Sequence, residues 1–569
     1  MRTDGVGYDT WAGQEHGTGY APVRQWMADR RLAFGVELLA VLPALAMAFE
    51  VAASPRLQLL DYWSVLLRIT NPDGSYNIDG VWDLQNEHPL IIPSFFYWAD
   101  AKLFGGDNRM LGYLTIVIAV LTILMLRSAL PKVLPVVLRA GLVVAMSALV
   151  FSLHGIHNFA LGMSGAAWLT ANMLVVGSLL LARKRRWLLA WLVGVLACAS
   201  YGTGFAVWPA LFLLACMHRE RWWRRIATLV IGAAVVAVWL TMRPSVVPGK
   251  DPANDIGSLL YAFLTLIGHV WTGRSADLAA IAGGAILCGL AALLTVPSAR
   301  AGRLWFWWAV ACYGVLACGM IATARVDFGT DIGLASRYTS LSVLTSVPLL
   351  VVVATVAFRR SPRNAPRFAV VSVAIGLVGF TLGAPMVAVV REALTDVPLR
   401  AVALRAQLDD RFWYGFPPTD QLAGRLAALD HYPYTDDFTI GCGGPELGDR
   451  LKLSDMRPML APDEDEPGPT GAVDASETRG DTTLLRGWAT DGREDVRCVL
   501  FTDARGEVTG GGQYHLARPD VQSLLEWAPS DTGFAVIAPT DPAGRVVIVL
   551  DSGRMLWLPG KAVEGEPPD

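Results

Sequence analysis

The chain has 569 residues, 53% of them hydrophobic and 17% charged, with a formal net charge of -3. That composition is too apolar for an ordinary water-soluble domain, so most of the chain must face lipid. The near balance of Lys plus Arg against Asp plus Glu leaves no cationic surplus to condense on phosphates, which excludes a nucleic-acid-binding role.

Residues 1–31 are polar, carry Arg24, Arg30 and Arg31, and read as a cytoplasmic N-terminal segment, because cytoplasmic flanks are rich in Lys and Arg. The apolar run 32–53 contains an A-x-A at Ala46 to Ala48 and resembles a signal peptide at first sight. Its length of roughly 20 residues suits a hydrocarbon core of about 30 Å, so a retained helix is predicted. A large loop, 54–109, follows. Further spans are predicted at 111–125, 140–153, 166–181, 226–242, 278–296, 304–322, 341–358 and 368–390. The stretch between Trp187 and Met217 has Arg183-Lys184-Arg185-Arg186 before it and Arg219, Arg221, Arg224 and Arg225 after it. Both flanks belong on the cytoplasmic side, so the chain crosses an even number of times there, as a hairpin turning at Tyr201-Gly202-Thr203-Gly204. The short run 259–271 is assigned to the outer surface as an interfacial or re-entrant helix. The expected fold is a polytopic α-helical membrane protein with about eleven transmembrane helices over 32–393, the N-terminus inside and the C-terminus outside.

Beyond the last span, 394–460 is mixed, with an amphipathic helix predicted near 399–408, and 461–480 reads as an acidic linker rich in Pro, Gly, Ser and Thr. Over 481–569, alternating runs such as Arg497 to Phe501 and Val546 to Leu550 are separated by Gly, Asp and Pro turns. That pattern predicts a C-terminal all-β sandwich domain. Five of the seven cysteines lie in apolar runs and act as small hydrophobes; Cys442 and Cys498 lie in the polar region, where an oxidising compartment allows a disulfide.

A loop of about 55 residues is long for a mere connection. It carries Asp61-Tyr62-Trp63 just after the first span and Asn86-Glu87-His88-Pro89 before an amphipathic stretch, 90–104. A carboxylate partly desolvated where membrane meets water is suited to act as a general base. Capping of an interfacial helix by Asp61 and solvation of Glu87 and His88 explain the same residues. Asp79 and Asp83, four apart, fit either a divalent-cation site shared with Glu87 or turns built on Asp-Gly pairs. In Ala335-Ser336-Arg337-Tyr338-Thr339 the guanidinium is placed to grip a lipid phosphate with Tyr338 anchored in the interface, or simply to snorkel. His154 and His157, even with His88, supply too few ligands for a metal centre. His269 and Arg274 are candidates for headgroup contact, with nothing in the sequence to sharpen that reading. Trp488, His515, Arg518, Asp520 and Trp527 suit stacking on sugars and core packing equally.

A first span followed by a large outer loop with an acid just after the helix (Leu59-Leu60-Asp61-Tyr62-Trp63), many spans, and an Arg-Tyr pair opening a late span (Ser336-Arg337-Tyr338) together resemble the GT-C superfamily of membrane glycosyltransferases. The resemblance implies transfer of a sugar from a polyprenyl-phosphate carrier to a cell-envelope glycan, glycolipid or protein outside the plasma membrane. It implies Asp61 as the catalytic base and Arg337 as the clamp on the carrier phosphate. The segment from Asn86 to Pro93 is similar to a signature of bacterial membrane proteins of this type, which adds Glu87 and His88 to the site lining. The β-rich end looks like the carbohydrate-binding sandwiches of some cell-wall arabinosyl- and mannosyltransferases. No cofactor beyond an optional divalent cation is implied. The competing expectations are a lipid or solute transporter, or a non-catalytic glycan-binding membrane protein.

Overall fold

The computed structural model describes residues 30–242, 255–408, 412, 419–463 and 466–559. Most of the expected cytoplasmic segment 1–31, and the part 243–254 of the outer loop expected before the eighth span, lie outside the described residues.

Inside a bilayer every backbone N–H and C=O must be paired within the protein, so apolar runs of bilayer length become helices. Among the described residues nine helices are long and apolar enough to cross a membrane: Arg30–Ala53, Asn108–Ala129, Val136–Ala160, Gly162–Arg183, Trp222–Met242, Ala276–Leu294, Gly302–Phe328, Ser336–Arg360 and Pro362–Arg405. Val136–Ala160, Gly162–Arg183 and Ser336–Arg360 are largely buried and form the centre; Arg30–Ala53 and Trp222–Met242 lie at the periphery. Small residues let helices approach closely. A Cβ on Gly112 would stand 2.7 Å from the Phe159 carbonyl, and one on Gly162 would overlap the backbone at Gly112. Where 187–217 is expected to turn back, two short apolar helices, Trp187–Cys198 and Val207–Met217, are joined by a 3-10 turn at Gly202–Ala206. The run expected at the outer surface, 259–271, is helical as Ile256–Gly268 and His269–Trp271. It is packed into the bundle, with Leu266, Ile267 and Val270 buried, because the neighbouring helix presents Gly283 to it.

The first loop is ordered around the helices Tyr62–Ile69 and Ile91–Leu103. Beyond the last span come the helices Val397–Arg405 and Thr419–Leu429, then strands β1 (Arg457–Pro458), β2 (Thr470–Arg479), β3 (Thr482–Thr490), β4 (Val496–Thr502), β5 (Val508–Leu516), β6 (Gly533–Pro539), β7 (Arg545–Leu550) and β8 (Met555–Trp557). Two expectations are corrected here. The strands form one eight-stranded sheet in the order β1-β8-β7-β4-β5-β6-β3-β2, instead of the two facing sheets of a sandwich. The sheet curls until its ends meet: Leu460, just after β1, pairs in parallel with Thr470 at the start of β2. Residues from five strands, among them Leu485, Phe501, Phe534, Ile548 and Leu556, fill the enclosed core. Leu484, Cys498, Leu500 and Ile537 point outward and pack against Leu399 and Val402 of the helix Val397–Arg405. The stretch expected as a linker, 461–480, therefore contains all of β2. Cys442 and Cys498 are joined by a disulfide.

Candidate functional site

The helix Tyr62–Ile69 starts from Leu60, whose φ of 58° is left-handed, a conformation that costs a branched residue of order 1 kcal/mol. That sharp entry exposes Asp61 at the helix N-terminus, where its side chain makes no capping hydrogen bond. The same helix fixes the second candidate segment. Arg68 donates from Nη1 to the Leu84 carbonyl at 3.2 Å and to Gln85 Oε1 at 3.3 Å, and Gln85 and His88 exchange two backbone hydrogen bonds around a tight turn at Asn86-Glu87.

Glu87 is buried, 8% exposed, and faces Arg325 at 3.7 Å. Arg325 Nη2 also lies 3.2 Å from His88 Nε2. A guanidinium only donates, so this ring nitrogen accepts. The His88 ring stacks on Tyr201 with centroids 4.2 Å apart, Tyr201 meets Trp168 at 4.1 Å, and Trp168 meets Tyr338 edge-on at 5.3 Å. Tyr338 is 2% exposed, so the tyrosine expected at the lipid interface is an interior wall instead. Arg337 lies over the Tyr338 ring at 5.1 Å and makes no ion pair among the described residues. Its backbone is pinned from behind. Asn158 Nδ2 donates to the Arg337 carbonyl at 3.0 Å, and Ser336 Oγ accepts from His157 N at 3.0 Å while donating to the His154 carbonyl at 2.5 Å.

The Tyr201 hydroxyl feels charges of both signs, with Asp61 on one side of the balance and Arg325 and Arg337 on the other. Tyr97, on the helix Ile91–Leu103, meets Tyr62 edge-on at 6.0 Å and donates to the Met163 carbonyl at 3.0 Å. The cluster is thus an acid, two guanidiniums and an aromatic wall drawn from six segments far apart in sequence.

Behind Asp61 lies a buried polar network. His431 Nδ1 is 2.6 Å from the Tyr432 carbonyl, so this nitrogen carries the proton and Nε2 accepts from the Tyr62 hydroxyl at 3.0 Å. Burial pushes His431 down from 6.5 to about 4, against the opposing pull of the Tyr432 carbonyl. Asp100 is held well above the usual carboxylate range by burial and by Asp107, although Gln58 donates to it at 3.2 Å.

The other expected sites fare differently. Asp79 and Asp83 are exposed at the two ends of a four-residue 3-10 turn, Asp79–Trp82, and do not share a helical face with each other or reach Glu87, which is turned to Arg325. Among the described residues no group of three or more His, Cys, Asp or Glu is arranged to hold a metal ion. His154 instead faces His269 edge-on at 5.0 Å. Trp488 is buried with Val521, Leu525 and Ala528, so it packs a core and is not free to stack on a sugar. Trp527 is half-buried and donates to the Asp463 carbonyl at 3.3 Å. Arg518 is tied to Asp474 and Asp520, and His515 to Asp531.

Fold and site together define a helical protein with many membrane-length apolar helices and a C-terminal β-sheet region. Comparison with family models, curated proteins and solved structures finds no match for the chain.

Proposed function

We propose that the chain is a membrane glycosyltransferase that passes a sugar from a polyprenyl-phosphate carrier to an extracytoplasmic hydroxyl acceptor. The observation that carries this reading is that the first loop, which presents Asp61, meets the turn between two late spans: Glu87 faces Arg325 at 3.7 Å and His88 lies 3.2 Å from Arg325 Nη2, while the aromatic wall runs from His88 through Tyr201 and Trp168 to Tyr338, beside Arg337. Asp61 takes the proton of the acceptor hydroxyl. The acceptor oxygen attacks the anomeric carbon from the face opposite the phosphate. The carbon–oxygen bond to the phosphate breaks with its electron pair, and Arg337, which makes no ion pair among the described residues, stabilises the charge that develops on the departing polyprenyl phosphate. Inversion at the anomeric carbon follows from this single displacement. The aromatic wall of Trp168, Tyr201 and Tyr338 suits the apolar face of a sugar ring, as aromatic surfaces do.

In this reading the chain crosses the plasma membrane about eleven times, the nine long helices being joined by Trp187–Cys198 and Val207–Met217. The N-terminus is cytoplasmic, and the site and the β-sheet region face outward. The test is transfer of radiolabelled sugar from a short-chain polyprenyl-phosphate donor by full-length protein in vesicles. Asp61→Asn lowers transfer by roughly 100-fold or more, as loss of a general base does, while gel filtration shows an unchanged fold. Arg337→Gln lowers it by a similar factor. Full-rate transfer by Asp61→Asn would falsify the base assignment. Movement of the donor across vesicles without any transfer would favour a transporter.

A further inference from the structure

The helix Gly162–Arg183 carries Trp168 at the candidate site; fifteen residues later, roughly 22 Å along its axis, it ends at Arg183 in a second polar feature. There a cavity of about 420 Å³ opens at the surface, lined by Arg185, Arg186 and Arg224 and by Trp187, Trp191 and Trp223.

Two turns, at the ends of the helices Gly162–Arg183 and Val207–Met217, are built in the same way. The helix Gly162–Arg183 turns at Arg185 with φ 59°, and Val207–Met217 turns at Arg219 with φ 52°. In each, the next residue donates its N–H back across the helix end: Arg186 to Leu181 at 3.0 Å and Glu220 to Ala215 at 3.0 Å. Glycine is the usual residue at this left-handed position, yet both turns place an arginine there. The helices that follow, Trp187–Cys198 and Trp222–Met242, both start at this groove, and helix N-termini favour anions. Charge is unbalanced. Glu220, its side chain 3% exposed, binds Arg224 at 2.6 Å and Arg185 at 3.5 Å. Three lining arginines less this one carboxylate leave two positive charges, and Arg186 has no carboxylate partner among the described residues. Beside the arginines the surface is apolar, with Leu188 76% and Trp222 72% exposed. Indoles beside arginines at the ends of membrane-length helices mark headgroup depth.

We propose that this groove binds the phosphodiester headgroup of an anionic phospholipid, with Arg186 and Arg224 on the phosphate and the acyl chains lying along Leu188 and Leu189. The Trp187, Trp191 and Trp223 indoles wall the headgroup. The site is independent of the sugar-transfer reading, since it lies at the other end of the helix Gly162–Arg183.

The experiment is native mass spectrometry of the full chain released from vesicles of equal phosphatidylglycerol and phosphatidylcholine. The wild type retains phosphatidylglycerol in preference, and millimolar inorganic phosphate does not displace it. Arg186→Glu, at an exposed position, lowers that preference by about tenfold, as reversal of one headgroup-depth charge does. Arg186→Ala lowers it by less and serves if the charge reversal disturbs folding. Equal retention of the two lipids by the wild type, unchanged preference in both variants, or displacement by free phosphate overturns the proposal.

Discussion

Gly202 is where a single methyl group reaches the candidate site. A Cβ there would stand 2.7 Å from His88 Nδ1, inside van der Waals contact, and His88 is held from its other sides by the Tyr201 stack and by Arg325. The ring has no slack direction. Gly202→Ala is therefore expected to lower sugar transfer by roughly tenfold, since sub-ångström misplacement of site groups is costly. Gly284→Ala, where an added Cβ meets nothing within 4 Å, leaves transfer unchanged. Equal activity of the two variants, measured in the same vesicle assay, sinks the reading of His88 as part of the site. At this scale the sequence marks Asp61, Glu87, His88 and Arg337 because charges at the ends of apolar runs stand out. It hides Arg325, since an arginine closing an apolar run looks the same whether it snorkels or pairs with a buried carboxylate. Trp168 and Tyr201 are equally silent. Nothing in an apolar run says which aromatic faces inward.

At the scale of elements, one asparagine holds three segments beside the site. Asn108 is 1% exposed at the start of Asn108–Ala129. Its Nδ2 donates to the Pro55 carbonyl at 3.0 Å and the Ala160 carbonyl at 2.7 Å, and its Oδ1 accepts from Gly162 N at 2.9 Å. Asn108→Ala leaves those backbone groups unpaired, and at about 1 kcal/mol each the loss is roughly 2–4 kcal/mol. Thermal unfolding in detergent reads this as a lowered midpoint; an unchanged midpoint means water takes over the bonds. The membrane-length helices were legible because hydrophobic length is imposed by the bilayer itself. The β-sheet region was legible only in part. Alternation reports that a strand has two faces, but the buried outer face against Leu399 and Val402 and the buried inner face around Phe501 both read as apolar. Closure depends on the Leu460–Thr470 pair, which flanks an acidic, proline-containing stretch with the composition of a linker.

At the scale of the whole molecule, the segment after the last membrane-length helix folds back on the first loop, a contact between residues about 370 positions apart that no local pattern announces. Arg56 pairs with Asp437 at 2.9 Å and lies over the Tyr432 ring at 4.5 Å; Arg425 donates to the Leu67 and Thr70 carbonyls; the Tyr62 hydroxyl reaches His431. Gly106, with φ 64°, lacks the Cβ that would overlap the His431 ring. This docking backs the helix that presents Asp61, so its stability bears on the site, and it carries its own dependence on pH. His431 titrates near 4 in the fold against 6.5 ordinarily. Below pH 6.5 the unfolded chain takes up a proton that the folded chain refuses, so stability is present above 6.5, is lost as pH falls toward about 4, and then levels off. The full loss is about 3 kcal/mol. Asp100 works in the opposite sense. Its raised titration makes its contribution present in acid and lost as pH rises. Comparing variants separates the two. His431→Gln can still accept from Tyr62 and donate to the Tyr432 carbonyl but cannot be protonated, so its unfolding midpoint should fall less than that of the wild type between pH 7 and pH 4.5. Parallel pH profiles for the two proteins would show that the His431 contact opens before the fold is lost, and that the C-terminal segment does not brace the Asp61 helix.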